Sequence, residues 1–222
     1  MFHTKICGVR TNTDIDWVAK SGADAIGLNF FPPSVRYVDP QFESTQQLGQ
    51  YAKESGLLVV GVFVNAPTVK MLRIAEQIPL DVIQLHGDEP NAQAIELIKA
   101  EHRVIRAVKL PTVGLTKQNI DDVTEIWRDH PCHLLLDADG GAQHGGSGKQ
   151  LDWIVVRQWA AQWDASWTLA GGLNAVNVAQ AVQDSYAPSV DTASGVEQPR
   201  GTKSRELIEV FVKSRKAASN RQ

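Results

Sequence analysis

Thr168-Leu169-Ala170-Gly171-Gly172-Leu173-Asn174 is a short apolar run closed by a glycine pair, and behind it Val178, Ala181 and Val182 recur on one helical face. The pattern predicts a strand, a tight turn and a helix. The same design then returns: Val190-Asp191-Thr192-Ala193 ends at Ser194-Gly195, and Leu207, Ile208, Phe211 and Val212 share a face of a closing helix. Glycine lets a backbone approach an anion, and N–H groups at a turn or helix start supply donors and partial positive charge. Gly171, Gly172, Ser194 and Gly195 are therefore expected to form two neighbouring phosphate-binding turns. In a (β/α)₈ barrel the loops after the last two strands are the usual phosphate site.

The rest of the chain supplies the other six units of such a barrel. Strands are predicted at Lys5–Val9, Ala25–Phe30, Leu57–Val64, Asp81–Gly87, Val104–Val108 and Leu134–Asp137, each followed by a helical pattern. Asn12 or Thr13 is expected to cap the first helix, and Asp39-Pro40 reads as an N-cap with proline at the first helical position. Eight strands alternating with eight helices, with no hairpin and no break in composition, argue for one parallel sheet closed into a single α/β domain. An open doubly wound sheet is the competing architecture. The barrel is assigned to residues 1–213, and the basic, polar tail 214–222 has no apolar period and is expected to fray.

Composition narrows the function. The chain has 222 residues, 43% hydrophobic and 21% charged, enough for one large core. A formal net charge of −3 gives no global attraction to nucleic acid or an anionic membrane. The six tryptophans, four of them between Trp153 and Trp167, lack interleaved basic residues and read as packing around the sixth helix. No apolar stretch approaches a membrane span, and Met1-Phe2-His3 leads directly into a strand rather than a signal peptide, so a cytoplasmic protein is expected. Two cysteines, Cys7 and Cys132, match neither a disulfide framework nor a zinc site, and no metal is expected.

Chemistry in a barrel sits at the C-terminal ends of the strands, so polar residues there are the candidates. Cys7 ends the first strand beside Gly8 and near the two positive turns, and is expected to be a thiol of lowered pKa able to take a proton. Cys132 precedes the sixth strand, at the opposite face, and is assigned to structure. Asp137 follows three leucines on a strand covered on both faces, where a carboxylate is costly without a partner or a role. Arg36 lies in a proline-stiffened loop suited to recognising a carboxylate. His86 ends the fourth strand, as a satisfied core histidine or a substrate contact, and Asp191 lies just before the second glycine turn.

These residues carry a resemblance. Lys5-Ile6-Cys7-Gly8, Gly22–Gly27, Pro33–Tyr37, Gly61–Asn65, Gln84–Gly87, Leu135–Asp137, Gly145–Lys149 with Asp152-Trp153, Gly171–Asn174 and Ser194–Glu197 together resemble the phosphoribosylanthranilate isomerase family, in order over nearly the whole chain. The resemblance implies a single barrel and the isomerase step of tryptophan biosynthesis. It further implies Cys7 as general base, Asp137 as general acid, Arg36 as the holder of the anthranilate carboxylate and the two glycine turns as the phosphate site. The sequence departs from the family pattern at Ala170, at Thr192-Ala193 and at Arg200–Ser204, all in or beside the phosphate region.

The reaction so implied is an Amadori rearrangement, in which an aminoaldose phosphate becomes an aminoketose phosphate. It needs one proton donated to the ribose ring oxygen and one removed from C2′, and no cofactor. The partner is a small phosphosugar, and the chain acts as a monomer or a homodimer. Two other readings stay open: another phosphosugar enzyme on the same barrel, and a non-catalytic phosphosugar-binding protein, which would need the clamp but neither acid nor base.

Overall fold

In a computed structural model of the chain, residues 1–138 and 149–219 are described. Eight strands, β1 (Thr4–Cys7), β2 (Ala25–Asn29), β3 (Leu58–Phe63), β4 (Val82–Leu85), β5 (Val104–Leu110), β6 (His133–Ala138), β7 (Trp167–Leu169) and β8 (Ser189–Thr192), pair in parallel, each with its neighbours in sequence. β1 closes on β8 with Lys5 opposite Asp191. The sheet is a closed barrel, not the open doubly wound alternative. Helices α1 (Asn12–Ser21), α2 (Glu43–Glu54), α3 (Thr68–Gln77), α4 (Asn91–Lys99), α5 (Lys117–Thr124), α6 (Trp153–Ala160), α7 (Val178–Ser185) and α8 (Arg205–Ser219) follow the strands in turn.

Two cores hold this arrangement. Side chains alternate across a strand. One set, with Ala25, Val60, Val62, Val82, Ile105, Ala107 and Leu135, fills the barrel interior, while the other, with Ile6, Ile26, Leu28, Phe63, Ile83, Leu85, Leu134 and Leu136, packs outward on the helices. Each fully buried Val, Leu, Ile or Phe among them contributes about 1.5–3 kcal/mol. Trp159 stacks on Trp163 at 5.1 Å and meets Trp167 edge-on, so the tryptophan-rich segment is packing around α6 as read from sequence. Cys132 is buried at the foot of the barrel, and desolvation pushes its thiol up to about 12, in keeping with a structural role.

Several local readings are corrected. Thr11, not Asn12 or Thr13, caps α1: its hydroxyl accepts from Asp14 N–H while Asp14 accepts from Thr11 N–H. Asp39-Pro40 does not start α2, because Asp39 accepts from Gln41 N–H in a turn and the helix begins at Glu43. The tail expected to fray from residue 214 instead continues α8 to Ser219. Arg215 donates to Pro188 O at 2.7 Å and Ala218 is 1% exposed, so tertiary burial supplies what the charge pattern concealed. Residues 220–222 lie outside the described residues. Among the described residues no helix is long and apolar enough to cross a membrane.

Candidate active site

The C-terminal ends of the strands open into a cavity of about 350 Å³, within the range of small-molecule sites. Cys7, Arg36, His86, Asp137, Gly171, Gly172, Asp191 and Ser194 all line it. Eight of the nine residues singled out from sequence therefore meet in one place. The ninth, Gly195, lies beneath: a Cβ there would come 1.9 Å from Leu173 O, so glycine is what lets the two turns nest. Thr192 Oγ1 donates to Leu173 O at 2.7 Å and locks them side by side. Gly171 and Gly172 have φ of 84° and 64°, a conformation L side chains rarely adopt. The N–H groups of Gly172, Ser194 and Gly195 take no acceptor among the described residues, which leaves donors for an anion. The Gly145–Gly148 part of the resemblance lies outside the described residues.

Cys7 is the last residue of β1 and is 8% exposed. The structure reverses the expected direction of its pKa: burial pushes the thiol up, and the nearby cations, Lys5 foremost, only partly offset this. Asp137, the fifth residue of β6, stands across the cavity with Oδ2 3.2 Å from His86 Nε2. Gln84 Nε2 donates to His86 Nδ1 at 2.9 Å. An amide nitrogen can only donate, so in this arrangement Nδ1 accepts and an Nε2–H faces Asp137. His86 is thus not an isolated core histidine. Its loop is braced by Glu89, which accepts from Asn65 N–H, Gly87 N–H and Arg106 Nη1.

Arg36 is 5% exposed, its stem lying so close to Gly8 that a Cβ there would come 2.3 Å from Arg36 Cδ. Its Nε and Nη2 form a fork on Glu197, at 2.6 and 2.7 Å. The Nη1–Nη2 edge remains as a second fork of the kind that suits a carboxylate. Glu197 also accepts from Lys203 Nζ at 2.8 Å and Gly201 N–H at 2.9 Å. Burial alone would raise its pKa, but the bonds from Arg36 and Lys203 hold it down at about 2. Two cations on one buried anion leave net positive charge at this end of the cavity. Within the divergent Arg200–Ser204 run, Gly201 and Lys203 serve Glu197, and Ser204 O and Oγ accept from the N–H groups of Ile208 and Leu207 in the first turn of α8.

Sequence reasoning missed Lys5, Glu197, Lys203 and Gln84. Lys5 carried a legible signal, since it lies two residues before Cys7 and so shares its strand face. Glu197 carried none, because its partner Arg36 is distant in the chain, and Lys203 takes its place from Glu197.

The sequence pattern of the family described as N-(5'phosphoribosyl)anthranilate (PRA) isomerase matches residues 4–214. The N-(5'-phosphoribosyl)anthranilate isomerase of Acinetobacter calcoaceticus is 37% identical over 212 residues, covering 94% of this chain and 93% of that protein. That of Rhodospirillum rubrum is 34% identical over 216 residues, with 95% of each covered. The crystal structure of phosphoribosyl anthranilate isomerase from Thermotoga maritima superposes with a TM-score of 0.84 at 32% identity, over 98% of this chain and all of that one. A phosphoribosyl anthranilate isomerase in complex with reduced 1-(o-carboxyphenylamino)-1-deoxyribulose 5-phosphate gives 0.80 at 30%, over 98% of this chain and all of that one. On these grounds the chain belongs to the N-(5'-phosphoribosyl)anthranilate isomerase family.

Proposed function

We infer that the chain is an isomerase of tryptophan biosynthesis that converts N-(5'-phosphoribosyl)anthranilate to 1-(2-carboxyphenylamino)-1-deoxyribulose 5-phosphate. The observation that carries the assignment of roles is the single cavity in which a thiol, a carboxyl, an arginine and two phosphate-suited turns converge. The phosphate lies on the Gly171-Gly172 and Ser194-Gly195 turns, the anthranilate carboxylate meets the free edge of Arg36, and the ribose spans Cys7 and Asp137.

Asp137 gives its proton to the ring oxygen as the C1′–O bond breaks, and the nitrogen lone pair closes the iminium. Cys7 then takes the C2′ proton, and the electrons of that C–H bond form the C1′=C2′ double bond of the enolamine. A proton then returns to C1′ while the enol hydroxyl on C2′ gives up its own, which restores Asp137 as the acid and leaves the C2′ ketone, so the reaction balances with no redox change. His86 donates its Nε2–H to Asp137 Oδ2, which leaves the acid proton on Oδ1, and Asp191 borders the sugar. Each proton transfer is worth roughly 10²–10⁴-fold in rate, while the phosphate and carboxylate contacts hold groups that do not react and fix the ribose between them. None of these steps calls on a cofactor. The same reading places the enzyme in the cytoplasm with a small phosphosugar as its partner. A solved relative is described as a dimeric isomerase, and sedimentation at working concentration distinguishes monomer from homodimer here.

The test is steady-state conversion of phosphoribosylanthranilate generated in situ. Wild type turns over, and Cys7→Ala and Asp137→Asn are each slower by at least about a hundredfold. Turnover left intact by both substitutions would sink the acid–base roles. Phosphorylated-ligand binding without turnover by wild type would leave a binding protein.

A further inference from the structure

A lysine lies wholly inside the barrel, and the acid–base scheme has no use for it. Lys5 is 0% exposed, with Nζ 2.8 Å from Asp191 Oδ1 across the β1–β8 pairing. The contact is ionic without being directed: neither atom has a hydrogen-bond partner of proper geometry. A buried ion pair is a poor way to gain stability, since well-packed apolar residues of similar volume usually do as well or better. Three N–H donors facing one carboxylate leave capacity for a second anion. Cys7, two residues on in the same strand, points to the same side.

We propose that Lys5 is a positioning residue whose buried ammonium stabilises the thiolate of Cys7, so that the thiol can serve as a base in an otherwise desolvating barrel mouth. The idea rests on Cys7 being that base. Around the sulfur stand Lys5 on β1, Asp191 on β8, Arg36 on the β2–α2 loop, Lys203 ahead of α8 and Glu197 behind Arg36, with His86 and Asp137 across the cavity. Arg36 and Lys203 are both tied to Glu197, whereas Lys5 lies on the same strand and the same strand face as the thiol. Burial and Asp191 push the thiol up, and Lys5 is the first of the groups that pull it down. The ammonium itself stays above the ordinary lysine value, because Asp191 and Cys7 outweigh its burial, and so remains charged when needed.

The experiment is the pH dependence of iodoacetamide alkylation of Cys7 in the full-length folded protein, in a Cys132→Ser background that leaves one thiol. Lys5→Met raises the midpoint by at least about one pH unit, and the acidic limb of kcat/KM moves up with it. Lys5→Met/Asp191→Asn removes both charges, guards against misfolding from an unpaired Asp191, and also titrates above wild type. An unmoved or lowered midpoint in either folded variant overturns the proposal. Failure of the base assignment reads differently: Cys7→Ala then keeps its turnover while the Lys5 effect on alkylation persists.

Discussion

Arg36 and Glu197, 161 residues apart in the chain, meet through two parallel hydrogen bonds, Nε to Oε1 at 2.6 Å and Nη2 to Oε2 at 2.7 Å. The carboxylate fixes the guanidinium plane, so the edge that faces the cavity is set before any ligand arrives. Glu197→Gln leaves two buried cations without their anion, and is expected to cost about 3–5 kcal/mol in urea unfolding. Arg36→Lys keeps the charge but loses the fork. It should raise KM by about tenfold or more with a smaller effect on kcat, and an equal loss in kcat with KM unchanged would contradict a ground-state carboxylate contact.

His86 governs where the proton of Asp137 sits. Replacing it with leucine removes the donor 3.2 Å from Oδ2 and frees the carboxyl to rotate. A kcat lower by about 10–100-fold with an unchanged melting temperature is expected. Gln84→Leu, which lets the imidazole choose its tautomer, should show the same loss in milder form, and full activity in both would remove His86 from the proton path.

Gly195→Ala tests the nesting of the two turns. The added Cβ would meet backbone, 1.9 Å from Leu173 O, so the turns must part. A stability loss of about 1–3 kcal/mol and weaker binding of inorganic phosphate and substrate are predicted, whereas kcat at saturation should change least.

Stability should fall in two stages as pH is lowered. His133, at the foot of the barrel, has Nε2 2.7 Å from Thr168 Oγ1, and burial, helped by the positive charges of the N-terminus, Arg103 and Lys5, lowers its pKa from 6.5 to about 4. Between those values the unfolded chain binds a proton that the folded chain refuses, so stability is full above 6.5 and is lost as pH falls toward 4. The loss approaches about 3 kcal/mol. Glu197 follows, its contribution present above 4.5 and lost as pH falls toward about 2. In His133→Gln, unfolding followed by urea should lose the first stage and keep the second; a first stage that survives unchanged belongs to another group.

Arg200 also lines the cavity, in the run that departs from the family pattern. It adds an exposed cation near Arg36, where Gly201 borders Val35. Arg200→Gln should raise KM a few-fold and flatten its dependence on ionic strength, with kcat unchanged. A KM that responds to salt as in wild type would make Arg200 a bystander.

The sequence by itself determined the barrel, because the alternation of apolar strand and amphipathic helix is local, and eight such units have few ways to cover every sheet face. It also determined which residues could do chemistry. Cys7, His86, Asp137 and Asp191 are polar positions at the C-terminal ends of strands, and the strand direction alone sends them to one mouth. Tertiary structure decided what those residues are able to do. Arg36 acquires its orientation from Glu197, and Lys5 faces Asp191 because β1 closes on β8, a pairing of the first strand with the last. The pKa of Cys7 moved opposite to the direction read from nearby glycine turns, since the balance between desolvation and the charges of Lys5 and Asp191 depends on through-space distance and burial. The end of α8 was hidden for the same reason: Arg215 and Ala218 look like a solvated tail until the packing that buries them is in place. Periodicity is written along the chain, whereas electrostatics and burial exist only once distant segments have met.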